Sequence, residues 1–222
     1  MVERAALYVD GFNLYHAIDD LDENHLKWLD MWALGNLLIP SKSQKLEKVV
    51  WCTAIRTDDV PKMLRHREYI RALKGTGVTC LEGHFARKPR DCHKCSAQWQ
   101  APVEKQGDVN LAIAMIDDEY RDIFDHAYLI TADSDQAATV RLLKERFQKK
   151  PLTTVSPPGR EHCKEILEAT PHKIKLTQAH LERCLLPKHL VIDGKPIAKR
   201  DPVYDPPKGW KTPEKAAEDA RG

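Results

Sequence analysis

AALYVDGFNLYHAI, residues 5–18, is the stretch that decides the fold. Its opening AALYV (5–9) is a short, unbroken apolar run halted by Asp10-Gly11, which reads as a buried strand ending in a turn. FNLYHAI (12–18) then continues as a helix. A strand that runs straight into a helix is the opening of an α/β fold, and an aspartate stands at the junction.

The same alternation continues outward. LDMWALGNLLI (29–39) reads as a helix ended by Pro40, and KVVWCTAI (48–55) as a second buried strand. Asp58 or Asp59 caps a long basic helix from Pro61 to Gly75 or Gly77. VTCLEGHFA (78–86) is a third strand, followed by turn-rich sequence over 87–106. DVNLAIAMIDDEY (108–120) is helical, and Val109, Ala112, Ile113, Ile116 and Tyr120 recur at the helical period, so they are expected to face the core. AYLIT (127–131) is a fourth strand, with a helix from Ser134 to Gln148 after it. PLTTVS (151–156) is a fifth strand before Pro157-Pro158-Gly159, and a helix over 161–169 and a short strand at 173–176 follow. This order predicts an α/β fold, a parallel sheet with helices on both faces. One domain is expected over 1–190, including the 87–106 Cys/basic loop. The Pro- and charge-rich extension 191–222 is expected to be partly ordered and to lie on the surface.

The chain has 222 residues, 42% hydrophobic and 31% charged, with a formal net charge of +2. That charge is too small to argue for a polyanion partner, so the distribution matters more. Lys62, Arg65, Arg67, Arg71 and Lys74 form one basic cluster, and Arg87, Lys88, Arg90 and Lys94 a second. Arg141, Lys144, Arg146, Lys149 and Lys150 form a third. Each reads either as a solvated face or as part of a phosphate-binding strip. No stretch approaches the ~18 apolar residues of a membrane span, and MVERAALYVDGFN lacks the features of a secretory leader. With six cysteines and only Cys92 and Cys95 closely spaced, reduced thiols in a cytoplasmic protein are expected.

Asp10 follows strand one, and Asp133 and Asp135 follow strand four in ITADSD (130–135). Ligands of an open parallel sheet sit beyond the carboxyl ends of its strands, where the strand order reverses. If strands one and four are neighbours, these carboxylates converge, and Asp108, opening the helix that leads into strand four, adds another. Crowded carboxylates repel, and a divalent cation relieves that repulsion. Mg²⁺ or Mn²⁺ suits oxygen donors and leaves room for water and phosphate. The plainer reading is that aspartates at such positions cap helices and turns.

YVDGFNLYHAI (8–18), GDVNLAIAM (107–115) and YLITADSD (128–135), together with VSPPGRE (155–161), resemble the NYN family of PIN-like nucleases over about residues 3–190. The resemblance implies a PIN-like sheet, Mg²⁺- or Mn²⁺-dependent cleavage of RNA, and products with a 5′-phosphate. It implies an acidic metal cluster of Asp10, Asp108, Asp133 and Asp135, with Asn13 supporting the site. Ser134 and Thr131 match polar positions of the same motif, and Ser134 is a candidate substrate contact. The chain departs from the family where Gly107 directly precedes Asp108 and where Gln136-Ala137 follows ITADSD.

Cys92-His93-Lys94-Cys95 has half-zinc-site spacing, and His84 is the plausible third ligand of a structural Zn²⁺. Arg87, Lys88, Arg90 and Lys94, with Trp99, are candidate RNA contacts, and Arg160 could meet a phosphate. The expected function is a metal-dependent ribonuclease. The alternative is a non-catalytic RNA-binding or regulatory module of the same fold. A haloacid-dehalogenase-like phosphatase needs a second acid two residues after Asp10, where Phe12 stands. No membrane partner is expected, and the sequence admits a homodimer.

Overall fold

Strand β1 (Glu3–Asp10) lies at the heart of the molecule because both of its faces are apolar. Ala5, Leu7 and Val9 join the core on one face and Ala6 and Tyr8 the core on the other. The computed structural model describes residues 2–147 and 150–219, so the expected helix end at Gln148, and Lys149 of the third basic cluster, lie outside the described residues.

Around β1 the chain adds α1 (Gly11–Asp19), α2 (Met31–Leu38), β2 (Gln44–Ala54), α3 (Val60–Gly75), β3 (Thr79–Asp91) and β4 (Gln98–Lys105). It continues with α4 (Gly107–Tyr120), β5 (His126–Ile130), α5 (Ala137–Arg146), β6 (Leu152–Ser156), α6 (Lys164–Leu167), β7 (Lys173–Lys175) and α7 (Gln178–Glu182). Seven strands form one sheet in the order β4-β3-β2-β1-β5-β6-β7, with only β3–β4 antiparallel. The chain builds outward from β1 to β4 and then returns to β5 on the other side of β1. The β1–β5 boundary is therefore the switch point, and the two strands expected to be neighbours are paired, Val9 opposite Ile130. Leu14, Leu34 and Leu73 of α1–α3 cover one face, and Leu111, Met115 and Val140 of α4 and α5 cover the other.

Three expectations need correction. First, α4 is rotated: Val109, Ile113 and Tyr120 are 57%, 59% and 70% exposed, while Leu111, Met115, Asp118 and Glu119 are buried. Polar pairing fixes that choice. Asp118, 1% exposed, accepts hydrogen bonds from the Tyr8 hydroxyl (2.8 Å) and Lys48 Nζ (2.6 Å), which ties the inward face of the helix to β1 and β2.

Second, the turn-rich 87–106 segment is an ordered hairpin. β3 pairs with β2 only as far as Gly83 and then runs on with β4 from His84 to Asp91. This arm runs about 23 Å beyond the β2–β3 pairing, seven steps from His84 to Asp91 at ~3.3 Å each. A Cβ at Gly83 would overlap the Lys105 carbonyl oxygen, so glycine permits the close crossing at its base.

Third, the C-terminal extension is structured well past residue 191. β8 (His189–Ile192) and β9 (Lys195–Lys199) form a hairpin over Asp193-Gly194, both at positive φ (50° and 74°). Leu190 and Ala198 are buried in the α1–α3 core. The helix expected over 161–169 is the single turn α6. Among the described residues no helix is long and apolar enough to cross a membrane. No disulfide joins any of the six cysteines among the described residues.

Candidate active site

The junction that opens the sequence also builds the site. Asp10 ends β1 in extended conformation and caps α1, its Oδ1 accepting from the Asn13 N–H at 3.0 Å. Its Oδ2 accepts from the Thr131 hydroxyl at 2.9 Å, in the segment just beyond the neighbouring strand β5. The Asn13 side-chain carbonyl accepts from the Ala132 N–H (2.9 Å), and the Thr131 hydroxyl oxygen accepts from the Asp133 N–H (3.0 Å). The ends of β1 and β5 are thus cross-bonded by their own side chains. Asp133 Oδ1 also caps the short turn Ser134–Gln136 through the Asp135 N–H at 3.1 Å. Capping leaves Asp10 and Asp133 with electron-pair donor capacity to spare, since each bonded oxygen keeps a further lone pair.

Asp108 reaches the same place from the first turn of α4. Gln136, 1% exposed, donates its amide to the Asp108 carbonyl oxygen at 3.0 Å and so binds that turn to the β5 loop. Asp10, Asn13, Asp108, Asp133, Glu104 and Arg160 line one cavity of about 230 Å³.

Glu104 carries no signal in the sequence. It ends the hairpin arm, in a stretch without core alternation, and its Oε1 accepts from the Gly107 N–H at 2.8 Å. Asp135 is exposed and is not among the residues lining the cavity, although it stands close enough to raise the Asp108 pKa, and Glu104 brings a carboxylate that was not among the expected four. The cause is local: the turn begun by Asp133 carries the next two side chains outward, and Ser134 is likewise exposed and outside the cavity.

Four carboxylates face a single guanidinium, and Arg160 is already ion-paired with Asp20. Burial raises the Asp10 pKa to about 6, helped by Asp108 and Asp133, while the bonds from Asn13 and Thr131 pull it down. Asp108 is raised by burial and then by Asp133 and Asp135. Buried Cys52 beside them is pushed up to about 12, by burial first and then by Asp10, Asp108 and Glu104, so it stays a thiol. The cavity is strongly negative at neutral pH, a field that a cation relieves.

Among the described residues no group of three His, Cys, Asp or Glu side chains is already set to hold a metal ion. The donor set nonetheless fits Mg²⁺ or Mn²⁺, which take one or two carboxylates and keep several waters.

The basic and zinc expectations resolve differently. Arg87, Lys88 and Arg90 stand on the distal part of β3 and Lys94 in the turn of the arm, all exposed and outside the acidic cavity. Cys92 and Cys95 occupy that turn, where the Lys94 and Cys95 N–H groups hold the Cys92 pKa below the usual thiol value. His84 pairs with Lys105 at the base of the arm, about 23 Å from Asp91 at ~3.3 Å per residue. His84 therefore cannot share an ion with Cys92 and Cys95. It contacts Gln106 instead, at 3.2 Å.

No protein-family model matches the chain. It is similar to the 6-hydroxy-3-succinoylpyridine 3-monooxygenase of Pseudomonas putida, 25% identical over 244 residues, which cover 92% of this chain and 76% of that protein. It is similar in fold to a protein of unknown function from Vibrio parahaemolyticus, with a TM-score of 0.55, 17% identity, and coverage of 83% of this chain and 97% of that one.

Proposed function

We propose that this chain is a divalent-metal-dependent nuclease that hydrolyses RNA phosphodiester bonds. The observation that carries the reading is the convergence of Asp10, Asp108, Asp133 and Glu104 on one cavity at the switch point of the sheet. The resemblance of VDGFN, GDVN and ITADSD to NYN nucleases supports it from the sequence side.

Asp10, Asp108 and Asp133 would hold Mg²⁺ or Mn²⁺, which when bound supplies a reactive hydroxide and screens the phosphate charge. Thr131 and Asn13 keep the Asp10 carboxylate in place across the β1–β5 junction. Glu104 adds charge from the arm, and Arg160 turns from Asp20 toward a non-bridging phosphate oxygen. Arg87, Lys88, Arg90 and Lys94 grip flanking phosphates along the arm. Cysteines without disulfides suit a cytoplasmic setting.

The test is incubation of purified protein with labelled RNA, with Mn²⁺ or EDTA, beside Asp133→Asn. Cleavage that needs Mn²⁺ and disappears in the variant is expected. RNA binding that ignores EDTA, without cleavage, would replace the enzyme by a binding module.

A second reading rests on the Pseudomonas relative, whose match spans most of this chain: oxygenation of a small aromatic acid. Supplying 6-hydroxy-3-succinoylpyridine with oxygen and a reductant, and looking for the hydroxylated product, separates it from the first.

A further inference from the structure

Phe12 and His16 line the acidic cavity and also a second, larger one of about 340 Å³, a size typical of ligand sites. The two have opposite character. The second cavity is lined by no Asp or Glu, and Lys27, Arg56, Lys62 and Arg65 all contribute to it. Its walls are aromatic: Phe12 and Tyr15 from α1, Trp51 from β2, and Phe85 from the base of the arm. Phe12 and Phe85 meet edge to face with centroids 5.7 Å apart, so one aromatic pair stands where the two cavities adjoin. His66, its Nε2 2.9 Å from the Thr53 hydroxyl, is kept neutral by burial at a pKa of about 4 and adds no charge.

The cations are not equally committed. Arg56, Lys62 and Lys27 are paired with Asp58, Asp59 and Asp19. Arg65 forms no ion pair among the described residues, and its Nε is buried without a hydrogen-bond partner, although Tyr204 lies within bonding reach of its side chain. A buried donor left unpaired is a cost that an anionic ligand removes.

We propose that this cavity receives the unpaired base of one RNA nucleotide, next to the phosphodiester held in the acidic cavity, with a flanking phosphate on Arg65 and Lys62. The inference rests on the nuclease reading and narrows it. A base can enter the aromatic walls only after leaving its stack, so the substrate is single-stranded RNA or a loop, and duplex RNA is refused.

The probe is adenosine 5′-monophosphate, titrated calorimetrically in EDTA so that no metal contributes. One-to-one binding is expected, retained in Asp133→Asn and about tenfold weaker in Tyr15→Ala and Arg65→Gln, the scale of one lost base stack or phosphate contact. Tyr15 is 41% exposed and Lys62 60% exposed on its side chain, so Tyr15→Ala and Lys62→Ala test the site without a folding defect. On a labelled RNA hairpin with Mn²⁺, cuts should fall only in the loop.

Absence of monophosphate binding, or binding untouched by all three substitutions, overturns the proposal. So does equal cutting of stem and loop, which leaves the nuclease reading standing. Binding of an aromatic carboxylate in place of the nucleotide overturns it in favour of a small-molecule site. Monophosphate binding that is sensitive to the substitutions, without any RNA cleavage, supports the nucleotide cavity and removes the hydrolytic reading.

Discussion

Replacing Asp10 by Asn should abolish metal-dependent cleavage and, in the absence of metal, make the protein more stable. A carboxyl ordinarily near 3.8 titrates here near 6, chiefly because it is buried. Holding it ionised at neutral pH therefore costs the folded state about 3 kcal/mol, at 1.36 kcal/mol per pK unit. Asparagine removes the charge at constant volume. Its carbonyl can still accept from the Asn13 N–H, but its amide cannot accept from the Thr131 hydroxyl, a loss of about 1 kcal/mol. A net gain of about 1–2 kcal/mol follows.

The gain has a defined pH window. The folded state binds this proton more tightly than the unfolded chain, so the wild type loses stability as pH rises from about 4 to about 6. Urea unfolding in EDTA at pH 4 and pH 7.5 measures both ends. The variant should match or trail the wild type in acid and exceed it at pH 7.5. A variant less stable than wild type at pH 7.5 would refute the claim that the site holds an unfavourable charge for the benefit of a cation.

Three further outcomes follow from the same structure. Lys48→Met leaves the Asp118 carboxylate buried with only the Tyr8 hydroxyl, and because Lys48 is a quarter exposed the loss should be about 2–3 kcal/mol, read as a lower urea midpoint at unchanged slope; a midpoint within error of wild type contradicts it. Gly11→Ala puts a Cβ against the Cys52 carbonyl oxygen and the Trp51 indole, displacing the start of α1 and with it Asn13; about 2–3 kcal/mol should be lost together with Mn²⁺-dependent cleavage, and retention of both shows that the junction tolerates the shift. Replacing Arg87, Lys88 and Arg90 by Gln should flatten the slope of log K against log salt for single-stranded RNA by about 2, at ~0.7 per lost phosphate contact, and a parallel line would free the arm from any phosphate role.

The sequence made the two strands that matter easy to read. AALYV and AYLIT are buried on both faces, so each is a continuous apolar run, and the aspartate beyond each run stands out against it. What stayed illegible has one physical cause: apolar patterning reports burial, and several decisive contacts here are polar. Val109, Ile113 and Tyr120 of the periodic stripe pointed α4 the wrong way, although Ile116 packs on the core, because Asp118 and Glu119, bonded to Tyr8, Lys48 and Lys150, occupy the inward face. The hairpin arm buries little of either face beyond its base, so its strands carry no alternation, and Glu104 was hidden among turn-forming residues. The Asp193-Gly194 turn of the last hairpin was present in the sequence as a standard two-residue signal, but the surrounding prolines outweighed it.

The central position of β1 and β5 has a consequence for time as well as place. Each has a bonded strand on either side, so their amides exchange with solvent only when the sheet itself opens, whereas β3 and β4 beyond Gly83 have only one another. Deuterium should therefore mark residues 86–102 within seconds and spare 6–9 and 128–130 for hours, on the timescales of local and global opening (roughly seconds against hours). Asp10 and Asp133 therefore stand at the ends of the slowest-exchanging strands, while the arm exchanges on the fastest clock, so the arm can move without disturbing the β1–β5 junction.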